Sequence, residues 1–204
     1  MTVRVDARTA GTLSQPSHLW GILQMVILDL CGGSGSWAFP YENGGYTVIK
    51  VDAKFGDDVR LAEWDDMSVH GILAAPPCTV FAGSGACWPR TEEEMLEGLS
   101  VVDACLRMVA IYRPRWWALE NPVGILRRWI GPPRMSFQPC DYGDPYTKKT
   151  LLWGEFNMPF KTNRVEPTEG SKMHTQYGGK SERTKAARSV TPSGFAKAFY
   201  EANP

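Results

Sequence analysis

The stretch MVILDLCGGSGSW, Met25 to Trp37, sets the frame for the rest of the chain. MVILDL is a short, fully apolar strand that closes on Asp29 and Leu30, and CGGSGSW follows as a glycine-rich turn. YTVIKVD is a second apolar strand ending in Asp52. That interval suits a βαβ unit, which needs roughly 30 residues. VHGILAA makes a third strand and stops at two prolines. Thr91 and Glu94 then form a capping box, and Met95, Leu99, Val102, Leu106 and Val109 recur at helical spacing until Pro114. RWWALEN and KKTLLWGEF read as two more strands, and SGFAKAFYEA as a final helix from about Ser193. Strands alternating with helices predict an α/β domain with a mainly parallel sheet.

Bulk properties narrow the class. A chain of 204 residues suits one domain with a real core. Met1 to Gln24 is polar and aperiodic, so residues 1–24 read as an arm and the domain as 25–204, with Met25 an alternative start. The formal charge is zero, which argues neither for nor against a nucleic-acid partner. Five cysteines without a C-x-x-C pair speak against a disulfide scaffold or a zinc site and for reduced thiols, so no metal is expected. No apolar run is long enough to span a bilayer, and no basic start with an apolar block marks a signal peptide. A cytoplasmic protein is the expectation.

In a parallel α/β sheet, ligands bind outside the carboxyl ends of the strands. Asp29, Asp52, Cys78 and Glu120 all fall there. Glycines after a strand let backbone approach a ligand closely, although a tight strand-to-helix turn alone would need them too. Asp52, about 20 residues on, stands where an acidic side chain accepts ribose hydroxyls; it would serve equally as a strand-end cap. Together they favour an adenosine-containing cofactor. Ala38 replaces the third glycine of the dinucleotide fingerprint, which leaves NAD open. Cys78 follows Pro76 and Pro77 and precedes the small residues Ala82 to Gly85. A buried cysteine is commonly just a small hydrophobe, but here stiff backbone and open space suit a nucleophile facing a flat substrate. Glu120, in ALENP, is either a solvated strand-end carboxylate or a proton donor and acceptor for a heterocycle. The three histidines show no supporting pattern.

In order, DLCGGSG, VDAKFGDDV, APPCTVFAGSG, ALENPVG, DYGDPYTKKTLLWG and RSVTPSGFA resemble the motifs of cytosine-C5 DNA methyltransferases, from about Met25 to the C-terminus. Pro-Pro-Cys followed by Glu-Asn is the specific part. The resemblance implies a mixed, seven-stranded, mainly parallel sheet with helices on both faces, the S-adenosylmethionine-dependent methyltransferase fold. It implies S-adenosylmethionine as methyl donor. Asp29, Leu30, Cys31, Gly33, Gly35, Ser36 and Trp37 would wrap its methionine part, with Pro76 beside them, Asp52 at the ribose and Asp58 at the adenine. It further implies Cys78 as nucleophile on cytosine C6 and Glu120 as partner of ring N3, with Ser84, Asn121, Lys148 and Lys149 on the substrate side.

The chain departs from the family pattern in four places. ENV is ENP, Lys148 and Lys149 stand for arginines, and Cys31 stands where an aromatic is common. Little chain separates KKTLLWG from RSVTPSGFA, where the family inserts its target-recognition domain, so the recognition region at about 155–188 is reduced. Lys172, Lys180, Arg183, Lys185 and Arg188 crowd the segment EGSKMHTQYGGKSERTKAARS. Its glycines and polar residues predict a mobile loop making phosphate contacts, with Lys180, Arg183 and Lys185 as the clamp. DNA binding is then expected to be weak, salt-sensitive and low in sequence specificity, with a protein partner as another source of recognition. The same chemistry on RNA or a free pyrimidine nucleotide, or a non-catalytic cofactor- or DNA-binding regulator, are the alternatives.

Overall fold

Apolar runs with no polar interruption form strands that must be covered on both sides, and that requirement builds the domain. A computed structural model of the protein describes residues 25–62, 67–161, 163–177 and 181–204. The strands are β1 (Val26–Leu30), β2 (Thr47–Val51), β3 (Val69–Ala74), β4 (Trp116–Pro122), β5 (Met135–Phe137) and β6 (Thr150–Glu155). They form a six-stranded sheet in the order β2-β1-β3-β4-β6-β5. The first four pair in parallel, while β6 runs antiparallel to both β4 and β5. The mixed, mainly parallel sheet matches the expectation, with six strands among the described residues rather than seven. The arm at residues 1–24 and Lys180 lie outside the described residues.

The helices are α1 (Phe39–Asn43), α2 (Glu92–Tyr112), α3 (Arg127–Ile130), α4 (Lys172–Thr175), α5 (Glu182–Ser189) and α6 (Ser193–Ala202). Side chains alternate across each strand, so each strand feeds two cores. Leu28, Leu30, Ile72 and Leu119 pack against Val102, Cys105 and Met108 of α2. Ile27, Leu73, Trp116 and Leu152 pack on the other face against Tyr41 of α1 and Phe195 and Phe199 of α6. Helices therefore cover both faces. The capping box forms as predicted: Thr91 Oγ1 accepts from the Glu94 amide at 3.1 Å, and the Thr91 amide donates to Glu94 at 2.9 Å. The helix ends at Arg113, which is left-handed at φ 45° and stops the chain short of Pro114.

The basic segment is not the loop its composition suggests. Ser181 caps α5 by accepting from the Thr184 amide at 3.2 Å. A serine cap followed by Glu182 and two alanines outweighs the glycines upstream, which precede the helix rather than interrupt it. Lys172 is not a free phosphate contact either: its ammonium pairs with Glu169 at 2.6 Å and lies over the Tyr146 ring.

The second core depends on aromatic contacts between distant parts of the chain. Phe195 stacks on Phe137 with centroids 3.7 Å apart. The Tyr41 hydroxyl donates to the Asn203 carbonyl at 2.9 Å. Phe195→Ala is expected to lower stability by about 3–5 kcal/mol, the cost of a large buried aromatic. Urea unfolding measures it, and a loss under about 1 kcal/mol would mean the α6 packing contributes little.

Candidate functional site

The strand order fixes where a ligand can sit. The chain leaves β1 for β2 on one side and then crosses to β3 on the other, so the topological switch point falls between β1 and β3. The crevice at such a point is the expected ligand site of an open α/β sheet. The glycine turn leaves β1 there, and the Pro-Pro-Cys corner leaves β3.

The glycine turn is held in a shape few residues adopt. Gly33 and Gly35 are left-handed at φ 57° and 70°, and so is Cys31 at φ 58°, a conformation uncommon outside glycine. The Cys31 amide donates to the Val51 carbonyl at 2.7 Å, which anchors the bend. Asp52 reaches across from β2: one carboxylate oxygen accepts from the Gly33 amide and the other from the Lys54 amide, both at 2.8 Å. Asp52 thus acts as a strand-end cap and also braces the turn. Ser36 Oγ accepts from the Thr191 amide at 2.9 Å, tying the turn to the segment before α6. A cavity of about 460 Å³ opens between these two segments, lined by Ser34, Gly35, Ser36, Tyr146, Thr191 and Ser193.

Asp29 lies beneath the turn, 2% exposed, with Oδ1 making no hydrogen bond. A Cβ on Gly32 would collide with this carboxylate, so only glycine fits above it. Burial, reinforced by Asp52 and Glu42 and opposed by Lys50, pushes the Asp29 carboxyl up to about 7.

Other predicted cofactor residues fall differently. Leu30 and Trp37 are buried, Trp37 against Phe199 at 5.4 Å between centroids, so their side chains belong to the cores and only their backbone faces the turn. The resemblance puts Trp37 at the cofactor, whereas its ring packs into the core against Phe195 and Phe199. Asp58 is gripped by Arg60, whose guanidinium contacts both carboxylate oxygens and also Glu97 on α2. That grip holds the Asp58 carboxyl below its usual range.

The second half of the crevice carries Cys78 and Glu120. Pro76 is buried and Cys78 exposed. The Cys78 carbonyl accepts from the amides of Phe81 and Ala82, at 3.0 and 2.8 Å, which folds the corner into a turn. Asn121 is fully buried, and its Nδ2 donates to the Pro76 carbonyl at 3.0 Å. The end of β4 therefore fixes the Cys78 corner through the residue next to Glu120. Sequence reasoning placed Asn121 on the substrate side; in the structure its amide serves the backbone, and its Oδ1 is buried without a partner. Ser84 is exposed on the loop beyond.

Lys148 completes the site. Thr150 pairs with Pro122 across β6 and β4, and Lys148 lies two residues before it in the chain. Its ammonium donates to the Arg188 carbonyl at 2.7 Å, at the last turn of α5. Although Cys78 keeps exposed surface, the protein crowded around its thiol strips water from it and pushes it up; Glu120 adds to this, and Lys148 and Arg188 pull it back. Burial likewise raises the Glu120 carboxyl, with Lys148 opposing. These four groups thus share one electrostatic neighbourhood. Lys149 and Arg183 are exposed.

In comparisons with known proteins, no family model matches the chain and no curated protein matches it. Among solved structures, a provisionally assigned DNA modification methyltransferase encoded within a prophage (E. coli) is similar at 18% identity, with a TM-score of 0.47. The match spans 64% of this chain and 46% of that one, less than half of the neighbour's length. No described helix is long and apolar enough to cross a membrane.

Two outcomes follow from the charges. Alkylation of Cys78, followed by mass spectrometry so that the exposed Cys87 is counted separately, is expected to reach half its limiting rate above the ordinary thiol pKa of about 8.5. Glu120→Gln removes a negative charge and should move that midpoint down; Lys148→Met removes a positive one and should move it up. Opposite shifts, or none, would disconnect Cys78 from both groups.

For Asp29 the folded pKa exceeds the unfolded one, so the unfolded chain binds fewer protons between about pH 4 and 7. Stability conferred by the neutral carboxyl is therefore lost as pH rises through that window. Asp29→Asn is expected to stabilise the protein by about 1–3 kcal/mol at pH 8 and hardly at all near pH 4. Urea melts at the two pH values test this, and an equal effect at both would show that Asp29 does not titrate there.

Proposed function

We propose that the protein is a methyltransferase acting on C5 of cytosine in DNA, with S-adenosylmethionine as donor. The observation that carries the reading is the meeting of the Cys78 corner with Glu120 and Lys148 at the sheet's switch point, next to a glycine turn braced by Asp52. The residues suit such a cofactor: Asp29 offers an unpartnered buried oxygen to a cationic group, and Gly33 and Gly35 leave room for backbone approach. Asp52 keeps lone pairs for ribose hydroxyls beyond its two amide bonds. Asp58 would meet the adenine edge with Arg60 already on its carboxylate. Leu30, Cys31, Ser36 and Pro76 would line the same region, with Trp37 contributing backbone alone. S-adenosylmethionine, when bound, supplies the methyl group that C5 acquires.

The chain's own residues account for activation of the ring. Cys78 Sγ, as thiolate, adds to C6, forming a C–S bond as the C5–C6 π pair moves toward the ring. Glu120 gives a proton to N3 as that charge develops, and burial of its carboxyl favours the protonated form. C5 thereby becomes nucleophilic. After C5 is substituted, its proton passes to solvent water, the C5–H electron pair restores the C5–C6 double bond and Cys78 is expelled as thiolate, while N3 returns its proton to Glu120. Lys148 stabilises both anionic groups in turn and, through the Arg188 carbonyl, is held in place by α5. The target base must leave its stack to reach a thiol set in a crevice. Lys149 and Arg183, both exposed, would meet phosphates, and Lys180 and Lys185 belong to the same basic segment as Arg183. Ser84 lies on the substrate side of the corner.

Tritiated S-adenosylmethionine with duplex DNA, single-stranded DNA, RNA and dCMP in separate reactions tests the reading. Label should enter DNA, and Cys78→Ala should abolish transfer while leaving cofactor affinity nearly unchanged. Transfer that survives in the alanine variant would sink the covalent mechanism, and label entering only RNA or dCMP would move the substrate.

A further inference from the structure

Two thiols meet where the glycine turn leaves β1. Cys31 opens the turn and is half-buried, while Cys105 stands on the inward face of α2 and is 1% exposed. Cys31 packs against the core cluster that holds Cys105 together with Leu30, Val102 and Met108. The Cys105 thiol donates a hydrogen bond to the Cys31 sulfur; that bond, with burial and the charge of the neighbouring sulfur, holds the Cys105 thiol well above its ordinary range. A buried cysteine by itself is a small hydrophobe. Two in hydrogen-bond contact are the reactants of a disulfide, and the sulfurs have only to close from that contact to about 2.05 Å. The described residues hold no group of three His, Cys, Asp or Glu suited to a metal, so the pair is not part of such a cluster.

The two thiols differ in access, which sets the order of events. Cys31 is the one that a small oxidant can reach. Having lost its proton to water, its sulfur attacks one oxygen of hydrogen peroxide; the O–O bond breaks, leaving a sulfenic acid on Cys31 and releasing hydroxide. The Cys105 sulfur then attacks the Cys31 sulfur, forming the S–S bond as the S–O bond breaks, and the Cys105 proton leaves with the hydroxide as water. In sum both thiols are oxidised and the peroxide is reduced to two waters. Cys31 also shapes the turn: it is left-handed at φ 58°, its amide is bonded to the Val51 carbonyl, and Gly32 after it has no room for a Cβ above Asp29. A segment with so little slack moves as a whole when its first side chain is drawn onto α2. We propose that Cys31 and Cys105 form a dithiol that hydrogen peroxide converts to a disulfide, stapling the glycine turn to α2 and weakening cofactor binding there. The last part rests on the reading of the turn as a site for S-adenosylmethionine.

Peptide mapping by mass spectrometry after brief peroxide treatment, quenched with catalase and iodoacetamide, reads the pair directly and without cofactor. A peptide linking Cys31 to Cys105, two hydrogens lighter than the separate peptides and released by dithiothreitol, is expected. Cys105→Ala removes the resolving thiol, so Cys31 should then accumulate a dimedone-trapped sulfenic acid that the wild type does not hold. Absence of the linked peptide, with Cys105 recovered wholly as a reduced thiol after unfolding, would overturn the dithiol. Calorimetry with S-adenosylmethionine reads the second part. The oxidised wild type should bind about tenfold more weakly than the reduced, a coupling of ordinary size, and dithiothreitol should restore it. In Cys31→Ala/Cys105→Ala peroxide should not alter the affinity, which sets oxidation of Cys78 and Cys87 aside. Equal affinity in oxidised and reduced wild type, or the same response to peroxide in the double variant, would overturn the control of the turn. A linked peptide in a protein that binds no S-adenosylmethionine when reduced overturns the cofactor reading and leaves the dithiol standing.

Discussion

Burial of the sheet on both faces is the constraint from which the site follows. With α2 on one side and α1 and α6 on the other, Leu28, Leu73 and Leu119 have no solvent-facing position along their strands. A polar side chain in the middle of such a strand would lack partners. Chemistry-bearing residues are thus displaced to the carboxyl ends, where β1, β2, β3 and β4 finish at one edge. Asp29 is the partial exception: it sits one residue inside β1, and its unpartnered oxygen is the consequence.

At that edge the elements are cross-linked by short polar contacts rather than by more hydrophobic surface. Asp52 ties β2 to the glycine turn, Asn121 ties β4 to the Pro76 corner, Ser36 ties the turn to Thr191, and Lys148 ties β6 to α5. Each contact spans loops that a packed core could not reach.

Much of this was legible in the sequence because the signals are local. VILDL, TVIKV and VHGILA are apolar runs bounded by glycine, proline or charge, and Thr91 with Glu94 is an unambiguous helix start. Strand β5 was not legible: MSF is three residues long, and its place depends on pairing with β6. The helix α5 was hidden by the glycines and the high charge before and within it. The resemblance places Trp37 at the cofactor, whereas its contacts are with Phe195 and Phe199, more than 150 residues away in the chain. The role of Asn121 rests on a bond to Pro76, 45 residues away, and no local pattern encodes it. Lys148 was visible as a departure from a pattern, yet its junction with α5 exists only in three dimensions.

The stacking of Phe195 on Phe137 and the seating of α6 against Trp37 and Tyr41 have a consequence for how the chain reaches its fold. One face of the sheet can be sealed by α2 soon after β4 is made, through contacts of modest sequence separation. The other face needs α6, which is synthesised after all six described strands. Until then, Trp37, Tyr41, Trp116 and Phe137 have no cover, and a nascent chain carries a wet aromatic surface on one side of an already ordered sheet. Long-range closure of this kind is slow, and the exposed rings are the sites at which incomplete chains would associate.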